Sequence, residues 1–275
     1  MTLEIISFAE GEKLLNWISL TGSLEAGHRL PRADIKDSFL YRGDDTVLSR
    51  AAWIDGLGIA VKSATIFPSN KDRGLPAVNG GVNLYSDADG MLQAIIDFHL
   101  VTKWKTAGDS LLAARKLARK DSSEILIIGA GTVAHSLREA YGALFPEAHF
   151  TVWNRTRSGA EALAAEFSGV TVADDLEQAV RSADIVTSAT MTTEPILRGE
   201  WLQPGQHIDL IGAYRPDMRE ADDEVMRRAR IFVDSRATTL EHIGELKDPL
   251  ANGVIRPDDI VADYYDLASG RFART

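Results

Sequence analysis

The sequence predicts an α/β fold in two parts, on three observations. Short β-rich pieces punctuated by turn residues fill residues 46–97, strand-like and helix-like segments alternate from Glu124 onward, and a glycine turn, Gly129-Ala130-Gly131-Thr132-Val133-Ala134, heads that alternation. The chain has 275 residues, enough to bury two modest cores, and the expected domains are residues 1–115 and 116–275.

Along the first part, Glu10–Leu20 carries Leu14, Leu15, Trp17 and Ile18 at helical spacing. Strands are expected over Thr46–Trp53, Gly58–Phe67, Gly81–Tyr85 and Leu92–Asp97. They are separated by Pro68-Ser69-Asn70, Arg73-Gly74-Leu75-Pro76 and Asp87-Ala88-Asp89-Gly90, which makes an antiparallel or mixed sheet. Thr102–Arg119 then reads as a bridging helix, with Leu111, Leu112, Ala114 and Leu117 on one side and basic Arg115, Lys116 and Arg119 near its C-terminal end, where the helix dipole favours cations. After it come strand Glu124–Ile128, helix Val133–Leu144, strand Phe150–Trp153, helix Ser158–Phe167, strand Val170–Val172, helix Leu176–Arg181 and strand Ile185–Ser188. His207–Ile211 and Ile231–Val233, with helix Asp222–Arg228 between them, are expected to complete a mostly parallel sheet.

Composition removes several classes of function. With no cysteine, the chain has no disulfide, thiolate metal site, iron–sulfur cluster or thiol nucleophile. A formal net charge of −10, with basic residues interspersed among acids, argues against nucleic acid as a partner. No apolar stretch approaches the roughly 20 residues that span a bilayer, so no membrane partner is expected. The opening Met1-Thr2-Leu3-Glu4-Ile5-Ile6 lacks the basic start and long apolar run of a secretory signal, so the expectation is a cytoplasmic protein. His28, His99, His135, His149, His207 and His242 show no ligand spacing, and no metal is expected. Gly-x-Ser-x-Gly is absent, which leaves a hydrolase without support.

The glycine turn follows the apolar run Ile125-Leu126-Ile127-Ile128 and opens a helical pattern, the setting that a dinucleotide-binding fingerprint requires. Gly129 permits the tight turn, Gly131 lets backbone approach a pyrophosphate at the helix N-terminus, and Ala134 allows close helix–sheet packing, with Ala130, Thr132 and Val133 completing the loop. The next strand ends in Asn154-Arg155-Thr156-Arg157, with no acid to bond a ribose 2′-hydroxyl. A guanidinium at Arg155 and a hydroxyl at Thr156 suit a 2′-phosphate, so NADP(H) is favoured over NAD(H). Ser188, Ala189 and Thr190 end a further strand, where cofactor-lining residues commonly sit; ordinary strand-end capping is the equal alternative. The resulting fold class is α/β, a Rossmann dinucleotide-binding domain plus an α+β domain.

Taken together, these segments resemble the ornithine cyclodeaminase/mu-crystallin family. The resemblance is carried by Lys62-Ser63-Ala64-Thr65, Gly74-Leu75-Pro76, Lys105-Thr106-Ala107, the glycine turn, Trp153-Asn154-Arg155-Thr156, Thr193-Glu194-Pro195-Ile196-Leu197, and Gly212 through Glu220. It covers nearly the whole chain in the family's order. It implies a substrate domain whose sheet pairs with that of a second subunit, hence a homodimer. Within the family it points to the reductases of cyclic imino acids, with Δ1-pyrroline-2-carboxylate or Δ1-piperideine-2-carboxylate reduced to the L-amino acid.

Three departures from the family pattern bear on the activity. Cyclodeaminases and archaeal-type alanine dehydrogenases carry an acid at the position of Tyr214, and a phenol, with an ordinary pKa of about 10, does not replace a carboxylate base near neutral pH. The family's Arg-Thr-Ala, whose arginine holds the substrate carboxylate, appears as Lys105-Thr106-Ala107, which keeps the charge and loses the two-pronged guanidinium grip. Arg32 and Arg50 stand where the family supplies a second cation, and Thr106 is counted with the cofactor-binding residues. Relatives also continue beyond Arg271 with a segment that packs onto the substrate domain. The resemblance at Lys62-Ser63-Ala64-Thr65 makes Lys62 the expected proton donor, and the apolar pattern Ile59-Ala60-Val61 with the nearby Lys105 would lower its pKa; from the residues alone a strand lysine facing water is the favoured reading. Asp217, Arg219 and Glu220 read as an ion-pair and turn network. The competing functions are ornithine cyclodeaminase, an amino-acid dehydrogenase acting on an open-chain 2-oxo acid, and a crystallin-like protein that binds NADPH without turnover.

Overall fold

A computed structural model describes residues 3–272 and 274, and says nothing of the Lys71 side chain. Met1 and Thr2 of the N-terminal stretch read above lie outside the described residues. The chain divides into two units, Met1–Lys105 and Thr106–Thr275. The division falls inside the same long helix as the expected boundary after residue 115, but nearer its N-terminal end.

The first unit runs β1 (Glu4–Ile6), α1 (Phe8–Leu14), α2 (Trp17–Gly27), β2 (Asp34–Arg42), β3 (Asp45–Ile54), β4 (Gly58–Ile66), β5 (Val78–Tyr85), β6 (Leu92–Asp97) and the start of α3 (Phe98–Leu117). The single helix expected over Glu10–Leu20 is two. Asn16 accepts the backbone N–H groups of Ile18 and Ser19 at 3.0 and 3.1 Å, and so caps a new helix in the middle of the apolar run. Ser7 and Glu10 close a reciprocal capping box on α1. Among the described residues the strands form one six-stranded mixed sheet in the order β1-β6-β5-β4-β3-β2, parallel only where β1 meets β6. Strand β2, which was not anticipated, is an edge whose residues are almost all exposed. Asp97 accepts the Leu100 N–H at 2.9 Å, fixing where α3 begins.

The second unit continues with β7 (Glu124–Ile128), α4 (Thr132–Leu144), β8 (His149–Trp153), α5 (Arg157–Glu166), β9 (Val170–Val172), α6 (Leu176–Ser182), β10 (Ile185–Ser188), β11 (His207–Leu210), α7 (Asp223–Arg228), β12 (Ile231–Val233), α8 (Arg236–Thr239), α9 (Gly244–Ala251), β13 (Ile260–Asp263) and α10 (Tyr264–Ala268). Its main sheet is parallel in the order β11-β10-β7-β8-β9. Strand order therefore reverses at the β7–β10 boundary, the switch point where open α/β sheets place ligands outside their carboxyl ends. Ile125 and Ile127 face one layer, Leu126 and Ile128 the other, and all four are buried, as strands covered on both sides require. One expectation is corrected. Ile231–Val233 does not extend this sheet but pairs with Ile260–Asp263 in a separate two-stranded parallel ribbon, because a three-residue apolar run carries no information about its partner. Among the described residues no helix is long and apolar enough to cross a membrane.

Candidate active site

In the first unit the strand register builds a row of charge. Asp37 on β2 lies opposite Arg50 on β3, Arg50 opposite Lys62 on β4, and Lys62 opposite Val82 on β5. Directly opposed residues share one face of the sheet, so two cations stand side by side with the carboxylate outermost. Asp37 grips the Arg50 guanidinium on two prongs, Nε at 2.8 Å and Nη2 at 2.7 Å. Lys62 is half-buried, and its ammonium lies 4.7 Å from the centroid of the Phe98 ring and donates to Thr102 Oγ1 at 3.3 Å. Phe98, Thr102 and Lys105 follow one another at i, i+4 and i+7 along α3 and so share a stripe of that helix. Burial holds the Lys62 pKa below its ordinary value, and the charges of Lys105 and Arg50 add to the shift. The sheet and α3 thus bring Lys62, Arg50 and Lys105 into one electrostatic group. Arg32 stands exposed in the connection between α2 and β2, outside the cross-strand row. Thr106, next on α3, is half-buried.

In the second unit the glycine turn joins β7 to α4. Gly129 has φ +109°, and a Cβ there would lie 2.8 Å from the Ala189 carbonyl oxygen, so glycine is required both by conformation and by close approach. Its N–H bonds the carbonyl of Trp153 at 2.8 Å, tying the turn to the end of β8. Gly131 is the N-cap of α4 and no side chain caps that helix. The first-turn N–H groups, those of Thr132 and Val133 among them, therefore face outward without a side-chain acceptor. Ala130 precedes this cap, and Ala134 is fully buried against the sheet.

Beyond β8, Asn154 donates through Nδ2 to the Thr156 carbonyl at 2.8 Å and shapes the loop leading into α5. Arg157 is engaged by Glu161 and Asp174. Arg155 is exposed, and among the described residues its guanidinium has no recorded protein partner.

At the ends of β10 and β11, Glu220, expected in an ion-pair and turn network, is a fully buried carboxylate bonded to hydroxyls and backbone N–H groups. Its Oε1 accepts Ser188 Oγ at 2.5 Å, Thr190 N at 2.7 Å and Thr190 Oγ1 at 2.7 Å, while Oε2 accepts Gly212 N at 2.7 Å. Glu245 in turn accepts the N–H groups of Glu220 and Ala221 at 2.6 and 3.0 Å. Burial raises both pKa values, that of Glu245 to about 7, against the opposing pull of these donors. The ion pairs expected in this segment do form, Arg215 with Asp217 and Arg219 with Asp223. Sequence reasoning missed the inward turn of Glu220, and it also missed Phe98 and Thr102, whose spacing ahead of Lys105 was the available signal. Tyr214 is exposed after the end of β11.

A model of the ornithine cyclodeaminase/mu-crystallin family matches residues 53–275. The chain belongs to that family. One family relative, the Delta(1)-pyrroline-2-carboxylate reductase of Paracoccus denitrificans (strain Pd 1222), is 48% identical over 269 residues, spanning 96% of this chain and 85% of that protein. Among solved structures, the Delta(1)-pyrroline-2-carboxylate reductase of Thermococcus litoralis in complex with NADH and L-proline matches with a TM-score of 0.90 and 26% identity over 98% of this chain and 87% of that one. An archaeal alanine dehydrogenase dimer with bound NAD matches with a TM-score of 0.89 and 27% identity over 99% and 87% of the two chains. The family assignment agrees with the resemblance drawn from the sequence, and the Rossmann-type parallel sheet plus mixed sheet agrees with the expected fold class.

Proposed function

We propose that this chain is an NADPH-dependent reductase that converts a cyclic α-imino acid, Δ1-pyrroline-2-carboxylate or its six-membered homologue Δ1-piperideine-2-carboxylate, into the L-amino acid. The observation that carries the reading is the half-buried Lys62, set beside Arg50 and Lys105, in a chain 48% identical to a reductase of the first of these imines.

The second unit suits a dinucleotide on grounds of its own. Its uncapped helix start at Thr132 offers backbone N–H groups to a pyrophosphate, and Gly129 leaves no space for a side chain between the turn and Ala189. Arg155, with Thr156 beside it and no carboxylate in Asn154-Arg155-Thr156, favours a 2′-phosphate on the adenosine ribose. Ser188 is fully buried with its hydroxyl on Glu220, while Ala189 and Thr190, half-buried, would line the dinucleotide site. Bound there, the dinucleotide supplies the hydride.

The first unit supplies the rest of the chemistry. The substrate carboxylate is held by Lys105, with Arg50 contributing to the extent that it is released from Asp37, and Arg32 as a further candidate. Lys62 gives a proton to the imine nitrogen, which makes the neighbouring carbon more electrophilic. Desolvation and like charge lower its pKa toward the working range, as an acid of this kind requires. Thr102 Oγ1, already accepting from Lys62, fixes the ammonium in place. The reaction consumes one imine, one proton and one reduced dinucleotide and yields the cyclic amino acid and the oxidised dinucleotide.

The chain would act as a homodimer. Edge strand β2 exposes Ile35, Phe39, Leu40 and Tyr41, and an open apolar edge of this kind is suited to pairing with a second copy. The test is a dinucleotide-oxidation screen using NADPH and NADH against five- and six-membered cyclic imino acids, and against 2-oxo acids with ammonia. Oxidation of NADPH with the cyclic imines is expected. Turnover that depends on ammonia would move the assignment to an amino-acid dehydrogenase, and binding of NADPH without any turnover would move it to a crystallin-like role.

A further inference from the structure

We infer that Glu220 is a positioning residue for the dinucleotide: its buried carboxylate locks the strand-end segments Ser188–Thr190 and Gly212 together, and through them holds the glycine turn in its binding shape. The inference rests on the proposed dinucleotide site and adds to it a residue that touches no ligand.

Both oxygens of Glu220 face a donor that cannot turn round, Thr190 N on Oε1 and Gly212 N on Oε2, with the hydroxyls of Ser188 and Thr190 adding to Oε1. A backbone N–H only donates, so the site is shaped for two acceptor oxygens. The side chain is fully buried, and its own backbone N–H is pinned by Glu245. Close packing carries this order outward. A Cβ on Gly212 would collide with the Thr190 carbonyl oxygen and lie 2.8 Å from the Glu220 carboxyl carbon. One residue before Thr190, the Ala189 carbonyl sits against Gly129. The glycine turn therefore packs at Gly129 against a backbone segment that this carboxylate bonds.

Glu220→Gln preserves shape and tests the acceptor requirement, because its amide must direct NH2 at one of the two backbone N–H groups. The measurement is calorimetric titration of NADPH into the purified protein, with circular dichroism melting run alongside, and KM for Δ1-pyrroline-2-carboxylate taken at saturating NADPH. A folded E220Q is expected to bind NADPH about tenfold more weakly, with KM for the imino acid unchanged and Glu220→Asp recovering part of the affinity. An unchanged Kd for NADPH in a folded E220Q, or a rise in imino-acid KM in place of the NADPH effect, would overturn the inference. Should E220Q fail to fold, E220D decides in the same titration: Kd between those expected for wild type and E220Q supports it, and Kd equal to wild type overturns it. Absence of NADPH binding by the wild type would instead refute the dinucleotide site itself.

Discussion

In Met1–Lys105 the chemically active groups are cations on half-open side chains, Lys62 and Arg50 set side by side by strand register. In Thr106–Thr275 they are carboxylates withdrawn from solvent, Glu220 and Asp209, each occupied by internal donors; Asp209 accepts Thr187 Oγ1 at 2.6 Å and Tyr141 Oη at 3.2 Å. In the proposed reaction the first unit keeps these side chains available for a substrate, and burial together with the Lys105 and Arg50 charges lowers the Lys62 pKa. In the second unit the buried acids bond backbone N–H groups and hydroxyls, and the proposed dinucleotide would meet the uncapped N–H groups at the start of α4. Substitutions should therefore act on turnover in one unit and on dinucleotide affinity or folding in the other.

The largest effect is expected at Lys62. Lys62→Met keeps the bulk of the chain and removes the proton, so kcat should fall on the order of a hundredfold or more, while calorimetry finds NADPH affinity intact; a loss of both would blur the division between the units. Arg155→Ala comes next. Removal of the guanidinium should raise the Kd for NADPH by about ten- to a hundredfold and leave the Kd for NADH nearly untouched, and equal losses for both dinucleotides would reassign Arg155. Gly129→Ala forces a side chain into φ +109° and against the Ala189 carbonyl. A loss of about 1–3 kcal/mol in denaturant-unfolding stability is expected, accompanied by weaker NADPH binding.

The smallest effect concerns pH, where two buried groups of the second unit oppose each other. Glu245 is raised from 4.5 to about 7 by burial, so its contribution to stability is present below pH 4.5 and is lost as pH rises toward 7. His207 is pushed down from 6.5 to about 4, by burial first and then by the Arg274 charge. Its contribution is present above pH 6.5 and is lost as pH falls toward 4. In His207→Leu the second contribution disappears. Melting temperatures measured between these limits should then fall with rising pH relative to the wild type, and parallel curves would contradict the opposition.

The same contrast governs how much could be read in the sequence. Parallel strands buried on both faces announce themselves as apolar runs, and Glu124–Ile128 and Ile185–Ser188 are found at the expected residues. The glycine turn was legible for a similar reason, since its conformational demand leaves few residue choices. Strand β2 was not legible, because Asp34–Arg42 is an exposed edge that mixes Asp34, Lys36 and Asp37 with Ile35, Phe39, Leu40 and Tyr41, so no clean alternation marks it. Strand β1 has three residues, and its partner β6 lies far along the chain. The separate pairing of Ile231–Val233 with Ile260–Asp263 is likewise a long-range choice. Lys62 was singled out by resemblance, since a lysine within a strand looks the same whether it faces water or a ring such as Phe98. Glu220 lies in a segment dense with charge, Arg215-Pro216-Asp217-Met218-Arg219-Glu220, and nothing local separates the acid that turns inward from the exposed Asp217.

Hydride delivery to the imine carbon can be followed directly by giving the protein Δ1-pyrroline-2-carboxylate and NADPH deuterated at its hydride-donating carbon, then analysing the product by mass spectrometry and chiral chromatography. L-Proline carrying one deuterium at its α-carbon is the expected product. Proline without the label, or labelled NADPH left unconsumed beside the imine, would contradict the assigned reaction.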